Sequence, residues 1–359
     1  MPLDVNAIIG GYLSDLAFIQ TAAPQRFGYT RAAAAILHWD HSMAELRRAD
    51  GSLPKIPGIG PSSLRVIQEV LDTGASPSAE ALIDASGKRA DVDKRRALRQ
   101  HFLSRAEAQR ILDDPAYDAL PRDAYRGDFQ MHSTSSDGSN TVAELAAACM
   151  ERGYTVAAIT DHSHGLAIAG GMSMADTAAQ RREIEAVNAA SGGRFHLLQG
   201  IEANIGADGA LDLSDDEAAQ FDLVLAAPHS LLRKTFDQTA RMLAAVANPR
   251  VRILAHPRGR QSSVRAGVLG DWDAIFAAAA ERQVAIEIDG DPNRQDLDHT
   301  MAARALQAGC LFALDSDAHS TGELWYAEMA LAHARLAGIR PDRIVNCWSL
   351  DRLLSWLKD

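Results

Sequence analysis

The chain has 359 residues, 47% hydrophobic and 23% charged, with 36 basic against 47 acidic side chains and a formal net charge of -11. That length corresponds to about two domains, and the composition is that of a compact globular chain, which excludes a disordered or fibrous protein. No run of about 18 apolar residues exists, so a membrane span is not expected.

Asp4 stands where a secretory signal would carry basic charge. Cys149, Cys310 and Cys347 are odd in number and show no Cys-x-x-Cys spacing, against a disulfide scaffold or a thiolate zinc site. A cytoplasmic protein is expected. Up to Arg126 the chain holds 16 basic and 16 acidic side chains, leaving 20 against 31 beyond it, so the acidic excess lies in the C-terminal two-thirds. The best basic surface for nucleic acid is Lys88, Arg89, Lys94, Arg95, Arg96 and Arg99, a cluster that a solvated helix face explains more readily.

Residues 5–47 carry helix-period apolar positions, Ile8, Leu13, Leu16 and Ile19, then Ala32 to Leu37, interrupted around Pro24 and Gly28, and predict two packed helices. A Gly-x-Gly turn at Ile56-Pro-Gly58-Ile-Gly60 then introduces a helix to about Leu71, and residues 76–120 read as helical. From Asp128 the texture changes to short β-branched runs alternating with Ala-rich helical stretches, the pattern of a parallel α/β sheet or barrel. The runs are Asp128–His132, Val156–Asp161, Phe195–Glu202, Leu223–Pro228, Val251–His256, Val284–Ile288 and Leu311–Asp315, and they predict seven strands. Leu350–Leu357 reads as an amphipathic helix instead.

Ionisable residues fall at or just beyond six of these seven strand ends: His132, Asp161 with His162, Glu202, His229, His256, then Asp315, Asp317 and His319. In a parallel barrel those ends converge on one face. Imidazoles mixed with carboxylates, and no thiolates, suit zinc, manganese or iron, and a shared Glu202 suits a multinuclear centre. Arg258 and Arg260 follow a ligand-bearing strand and can fork onto phosphate oxygens, as catalytic residues, or pair with surface carboxylates.

At these residues the chain resembles the polymerase and histidinol phosphatase (PHP) family of metal-dependent phosphoesterases. The motifs are Gly127-Asp-Phe-Gln-Met-His132-Ser-Thr-Ser-Ser-Asp137-Gly138, Ile159-Thr-Asp-His162, Gly200-Ile-Glu202, Pro228-His229-Ser, Ala255-His256-Pro and Asp315-Ser-Asp317-Ala-His319. The resemblance implies a distorted seven-stranded (β/α)7 TIM-like barrel over residues 121–359, with two to three divalent ions, Zn2+, Mn2+ or Fe2+. The first would be held by His132, Glu202 and Asp317, the second by Glu202, His229 and His256, and the third by Asp137, His162 and His319. Asp161 and Asp315 would support the ligands. The family begins with His-x-His, whereas this chain has Gln130-Met131-His132, leaving Gln130 as a weak ligand.

A narrower resemblance is to bacterial family X DNA polymerases, through His162–Ser173, Glu287–Arg294 and the N-terminal residues 1–120. It implies an all-α helix-hairpin-helix domain binding DNA phosphate through Gly58, Gly60 and Ser62. Pro61 removes a donor where a basic residue is common. Too few residues lie between Leu71 and Gly127 for a polymerase palm, and the first lysine is Lys55, so neither polymerisation nor Schiff-base lyase chemistry is expected. The resemblance implies a phosphoesterase acting on DNA ends, as 3′-5′ exonuclease or 3′-phosphatase in repair. A phosphatase of small phosphorylated substrates, and a DNA-binding module impaired through Gln130, are the alternatives.

Overall fold

The structure, a computed structural model, describes residues 3–56 and 58–358. The chain forms two compact units, Met1–Asp113 with Ser262–Val264, and Asp114–Gln261 with Arg265–Asp359.

The first unit is helical: α1 (Val5–Ile19), α2 (Ala23–Leu37), α3 (Pro61–Thr73), α4 (Pro77–Ala85), α5 (Arg89–Ala97) and α6 (Arg105–Asp113). Asp4 caps α1 by accepting from the Ala7 amide at 2.9 Å. The helix-period residues Ile9, Leu13 and Leu16 then meet Ile36, Ile67, Ile83 and Val92 in one buried cluster. The basic cluster is largely engaged within this unit. Arg96 and Arg99 both grip the buried Asp15, at 2.8 and 2.7 Å, and Arg89 lies 2.6 Å from Glu80. A buried carboxylate held by two guanidiniums is costly to disrupt, so these cations serve the fold.

The expected hairpin is present in part. Gly58 takes a left-handed φ of 78° and Gly60 is the N-cap of α3. Pro57 lies outside the described residues. The chain entering the turn has only a 3-10 turn at Met43–Leu46 and no helix over 47–56, so a helix-hairpin-helix is matched in its second helix alone.

The second unit holds β1 (Val156–Ile159), β2 (His196–Asn204), β3 (Leu223–Ala227), β4 (Val251–Leu254), β5 (Ala285–Asp289) and β6 (Leu311–Asp315), paired in parallel and in sequence order. Around them run α7 (Val142–Glu151), α8 (Met174–Ser191), α9 (Asp215–Ala218), α10 (Thr239–Ala247), α11 (Trp272–Glu281), α12 (His299–Gln307) and α13 (Ala327–Leu336). Both faces of the sheet are covered, which is why the strands are almost continuously buried. The final helix, α14 (Leu350–Lys358), sets Leu353 and Trp356 against the strand beginnings Val156, Leu223, Ala285 and Leu311.

Among the described residues six strands form the sheet rather than the seven expected. The first predicted run, Asp128–His132, still lies between β1 and β6. The Ala158 and Thr160 amides donate to the carbonyls of Asp128 and Met131 at 2.9 Å, and the His132 amide donates to that of Ala318 at 2.8 Å. Three of its other amides go to side chains. Phe129 donates to Asp315 Oδ1 at 2.7 Å, Gln130 to Asp128 Oδ1 at 3.2 Å and Met131 to Thr160 Oγ1 at 3.1 Å. Side chains have replaced the ladder, so the segment fills the gap without regular strand pairing. Its entry is tight, since a Cβ on Gly127 would stand 1.5 Å from the Val156 carbonyl oxygen.

Candidate metal centre

The strand ends carry the ionisable residues onto one site. Glu202, near the end of β2, is fully buried, with four imidazoles around its carboxylate. Oε2 lies 3.4 Å from His132 Nε2 and 3.1 Å from His162 Nδ1, while Oε1 lies 3.1 Å from His229 Nε2 and 2.8 Å from His256 Nε2. Asp317 Oδ1 is 3.0 Å from His132 Nε2, and Asp137 Oδ1 is 3.6 Å from His162 Nε2 and 3.4 Å from His319 Nε2. Among the described residues three sets of ligand atoms result, each within 4.8 Å: His132, Asp137, His162 and His319; His162, Glu202 and His229; and His132, Glu202 and Asp317.

The electrostatics suit cations. Burial pushes His256 down to about 4 and His132 well below the usual histidine range, so both stay neutral with a lone pair available. Burial alone would raise Glu202, but His162 and His229 outweigh it and hold the carboxyl well below its ordinary range. His132 Nδ1 is buried without a hydrogen-bond partner. His229 faces an oxygen on each side, Asn204 Oδ1 at 2.5 Å from Nδ1 and Glu202 Oε1 at 3.1 Å from Nε2. A neutral imidazole has one N–H, so the other nitrogen aims its lone pair at an acceptor. A divalent ion removes that conflict, as a second ring proton would, and with His132 and His256 kept neutral beside the same carboxylate the residues fit a metal. His256 and Asp317 also hold positive φ values of 24° and 54°, backbone strain of the kind concentrated at functional sites.

A second layer orients the first. Asp161 accepts from the Ser133 amide at 2.8 Å, from the Ser136 hydroxyl at 2.5 Å and from Gln180 Nε2 at 2.6 Å, and so ties down the loop between His132 and Asp137. Asp315 accepts from the Phe129 amide and from Asn346 Nδ2, at 2.7 and 2.9 Å.

Other predicted residues stand apart from the imidazole cluster. Gln130 points its amide nitrogen at Glu287, 2.9 Å from Oε2 and closer to Oε1, the orientation in which a donor meets two acceptors. Arg260 is 5% exposed and pairs with Asp298, while Arg258 reaches the Ala266 carbonyl at 3.2 Å and lies 3.8 Å from Asp298. Gly58, Gly60 and Ser62 belong to the helical unit, lining a cavity of about 410 Å³ with Tyr29 and Arg31.

Sequence reasoning passed over four residues here. Arg294 contacts Asp317 and lies 3.5 Å from Asp289. Glu287 accepts from the His256 amide, and Asn204 contacts His229. Asp128 is buried, and burial pushes it up to about 8. A signal existed for Glu287 and Asp289, which lie two apart on a strand whose other residues are apolar and so share a face.

No model of a known protein family matches the chain. It is 35% identical over 238 residues to the DNA polymerase/3′-5′ exonuclease PolX of Bacillus subtilis (strain 168), a match covering 65% of this chain and 41% of that protein. It is 29% identical over 246 residues to the probable phosphatase YcdX of Escherichia coli O81 (strain ED1a), covering 65% of this chain and 94% of the relative. Among solved structures, the histidinol phosphate phosphatase of Lactococcus lactis, complexed with zinc, L-histidinol and phosphate, superimposes with a TM-score of 0.46 at 16% identity, covering 60% of this chain and 95% of that one. Among the described residues no helix is long and apolar enough to cross a membrane.

Proposed function

We propose that the chain is a PHP-type, metal-dependent phosphoester hydrolase acting on DNA ends, as a 3′-5′ exonuclease or 3′-phosphatase. The observation that carries the reading is the buried Glu202 carboxylate shared by four imidazoles, with Asp137 and Asp317 flanking. Two to three zinc or manganese ions held there would supply an acidified water and polarise a phosphoryl oxygen.

The chain's own residues do the rest. In our reading His132, Glu202 and Asp317 would form one cradle, Glu202 and His229 with His256 and the neighbouring His162 a second, and Asp137, His162 and His319, beside His132, a third. Held at and just beyond the strand ends, the centre would reorganise little when charge develops on substrate. In this reading Arg294, 27% exposed and already on Asp317, would meet a phosphate oxygen, with Arg258, 20% exposed, as a second guanidinium. Arg260 anchors Asp298.

Two observations support DNA as substrate. One is similarity to a protein whose name includes 3′-5′ exonuclease activity. The other is the turn at Gly58, Gly60 and Ser62, where the start of α3 lines a cavity with the exposed Arg31. The test is digestion of end-labelled, gapped and single-stranded oligonucleotides by manganese-loaded protein, with binding followed against salt. Ladder formation and affinity falling steeply with salt are expected. Intact oligonucleotides alongside hydrolysed histidinol phosphate or nucleotide would instead favour the second reading, a small-molecule phosphatase. That reading draws on the basic cluster's engagement with Asp15 and Glu80, and on similarity to a probable phosphatase over 94% of its length.

A further inference from the structure

Beyond the ligands themselves, the loop after β2 contains a hydrogen-bond relay whose chemistry has one consistent solution. Past Asn204 the chain turns back through a bridge between Ile205 and Leu211. That return places Asp212 beside Asn204, where the Asp212 amide donates to the Asn204 carbonyl at 3.1 Å and the Asn204 amide donates to Asp212 Oδ1 at 2.9 Å. The Asp212 carboxylate also accepts from the Ser163 hydroxyl at 2.7 Å and from Asn204 Nδ2 at 2.5 Å.

An ionised carboxylate only accepts, so the Asn204 side chain must face it with its NH2 group. That choice turns Asn204 Oδ1 towards His229, 2.5 Å from Nδ1. An amide oxygen also only accepts, so Nδ1 must carry the proton. In the neutral ring Nε2 is then the atom left with a lone pair, and it faces Glu202 Oε1, 3.1 Å away. We propose that Asp212 and Asn204 are positioning residues that set the His229 tautomer, and that Asp212, which contacts no ligand side chain in this relay, thereby governs metal affinity through Asn204. The proposal rests on the metal-centre reading above and adds how one of its ligands is kept competent.

The relay makes an unusual prediction about amide and carboxylate exchange. In Asp212→Asn an amide replaces the pure acceptor, and Asn204 is free to turn its oxygen to the new NH2 group and its own NH2 to His229, which selects the Nε2–H tautomer. In Asn204→Asp two carboxylates face one another. The double exchange, Asn204→Asp with Asp212→Asn, restores a donor facing an acceptor and an acceptor facing Nδ1.

The experiment is zinc competition against a chromogenic chelator on the full chain, together with ring-15N histidine spectra of the metal-free protein. Asp212→Asn and Asn204→Leu are expected to weaken zinc binding by about 10–100-fold, the usual effect of removing a ligand's hydrogen-bond partner. The double exchange is expected to recover most of that loss, and the wild-type His229 signal to be that of an Nδ1-protonated ring. Wild-type affinity in Asp212→Asn, a double exchange as weak as either single variant, or an Nε2-protonated His229 in the wild type would overturn the proposal. A wild-type protein that binds neither zinc nor manganese would overturn the metal-centre reading itself.

Discussion

Replacing Glu202 by glutamine separates a metal bridge from a structural carboxylate. The substitution keeps shape and removes one negative charge from the point where His132, His162, His229 and His256 meet, at 2.8 to 3.4 Å. With an effective dielectric of about 20, a unit charge at about 4 Å from a cation is worth about 4 kcal/mol per unit of cation charge. Even a single unit of that attraction corresponds to about three decades of affinity. Glu202→Gln is therefore expected to emerge from dialysis against a mild chelator with its metal content reduced by at least one ion, measured by plasma mass spectrometry. The metal-free fold should tolerate the change best in alkaline buffer, because an uncharged buried group needs no counter-ion and neutral imidazoles leave no cation unpaired beside it. Full metal content in the variant would refute the bridging role. A loss of about 3–5 kcal/mol in the metal-free protein, with metal content unchanged, would mark Glu202 as a purely structural ion-pair partner.

Other predictions follow from the same geometry. Gly127→Ala drives a methyl into the Val156 carbonyl oxygen, 1.5 Å from the ideal Cβ, and should cost more than about 4 kcal/mol; an unchanged melting temperature would contradict the tight entry of the segment. Gln130→Leu should lower stability by about 1–3 kcal/mol in urea titrations by stripping donors from Glu287, while leaving metal content unchanged. In chelator-treated protein, burial lifts Asp128 from 3.8 to about 8. Between these values the folded state holds a proton that the unfolded state has lost, so this contribution is complete below about 4 and is lost as pH rises towards 8. Asp128→Asn should accordingly flatten the fall in urea midpoint across that window, and an unaltered pH profile would show that Asp128 does not titrate there.

Much of the architecture was legible in one dimension. Alternating β-branched runs and Ala-rich stretches mark the parallel sheet, because strands buried on both faces need apolar residues throughout and crossover helices need a single apolar stripe. An ionisable residue closing such a run stands out against that background, which is why His132, His162, Glu202, His229, His256, Asp317 and His319 can be picked from the sequence. Its limits are equally physical. Asp128–His132 has the composition of a strand, yet Asp315, Asp128 and Thr160 take the amides that a ladder would use, and two of those three side chains lie far away in sequence. Lys88 to Arg99 reads as a basic surface until the buried Asp15 and Glu80 arrive from other helices.

What the sequence by itself determined was the element order, the class of fold and the side-chain chemistry gathered at the strand ends, since these depend on periodicity and residue type. Which atom faces which was decided only by tertiary structure: Gln130 turned to Glu287, Arg260 bound to Asp298, Arg294 set on Asp317, and Asn204 oriented by Asp212 towards His229. Hydrogen bonds and ion pairs are short-ranged and directional, so partners remote along the chain acquire their roles only when folding brings them within about 3 Å.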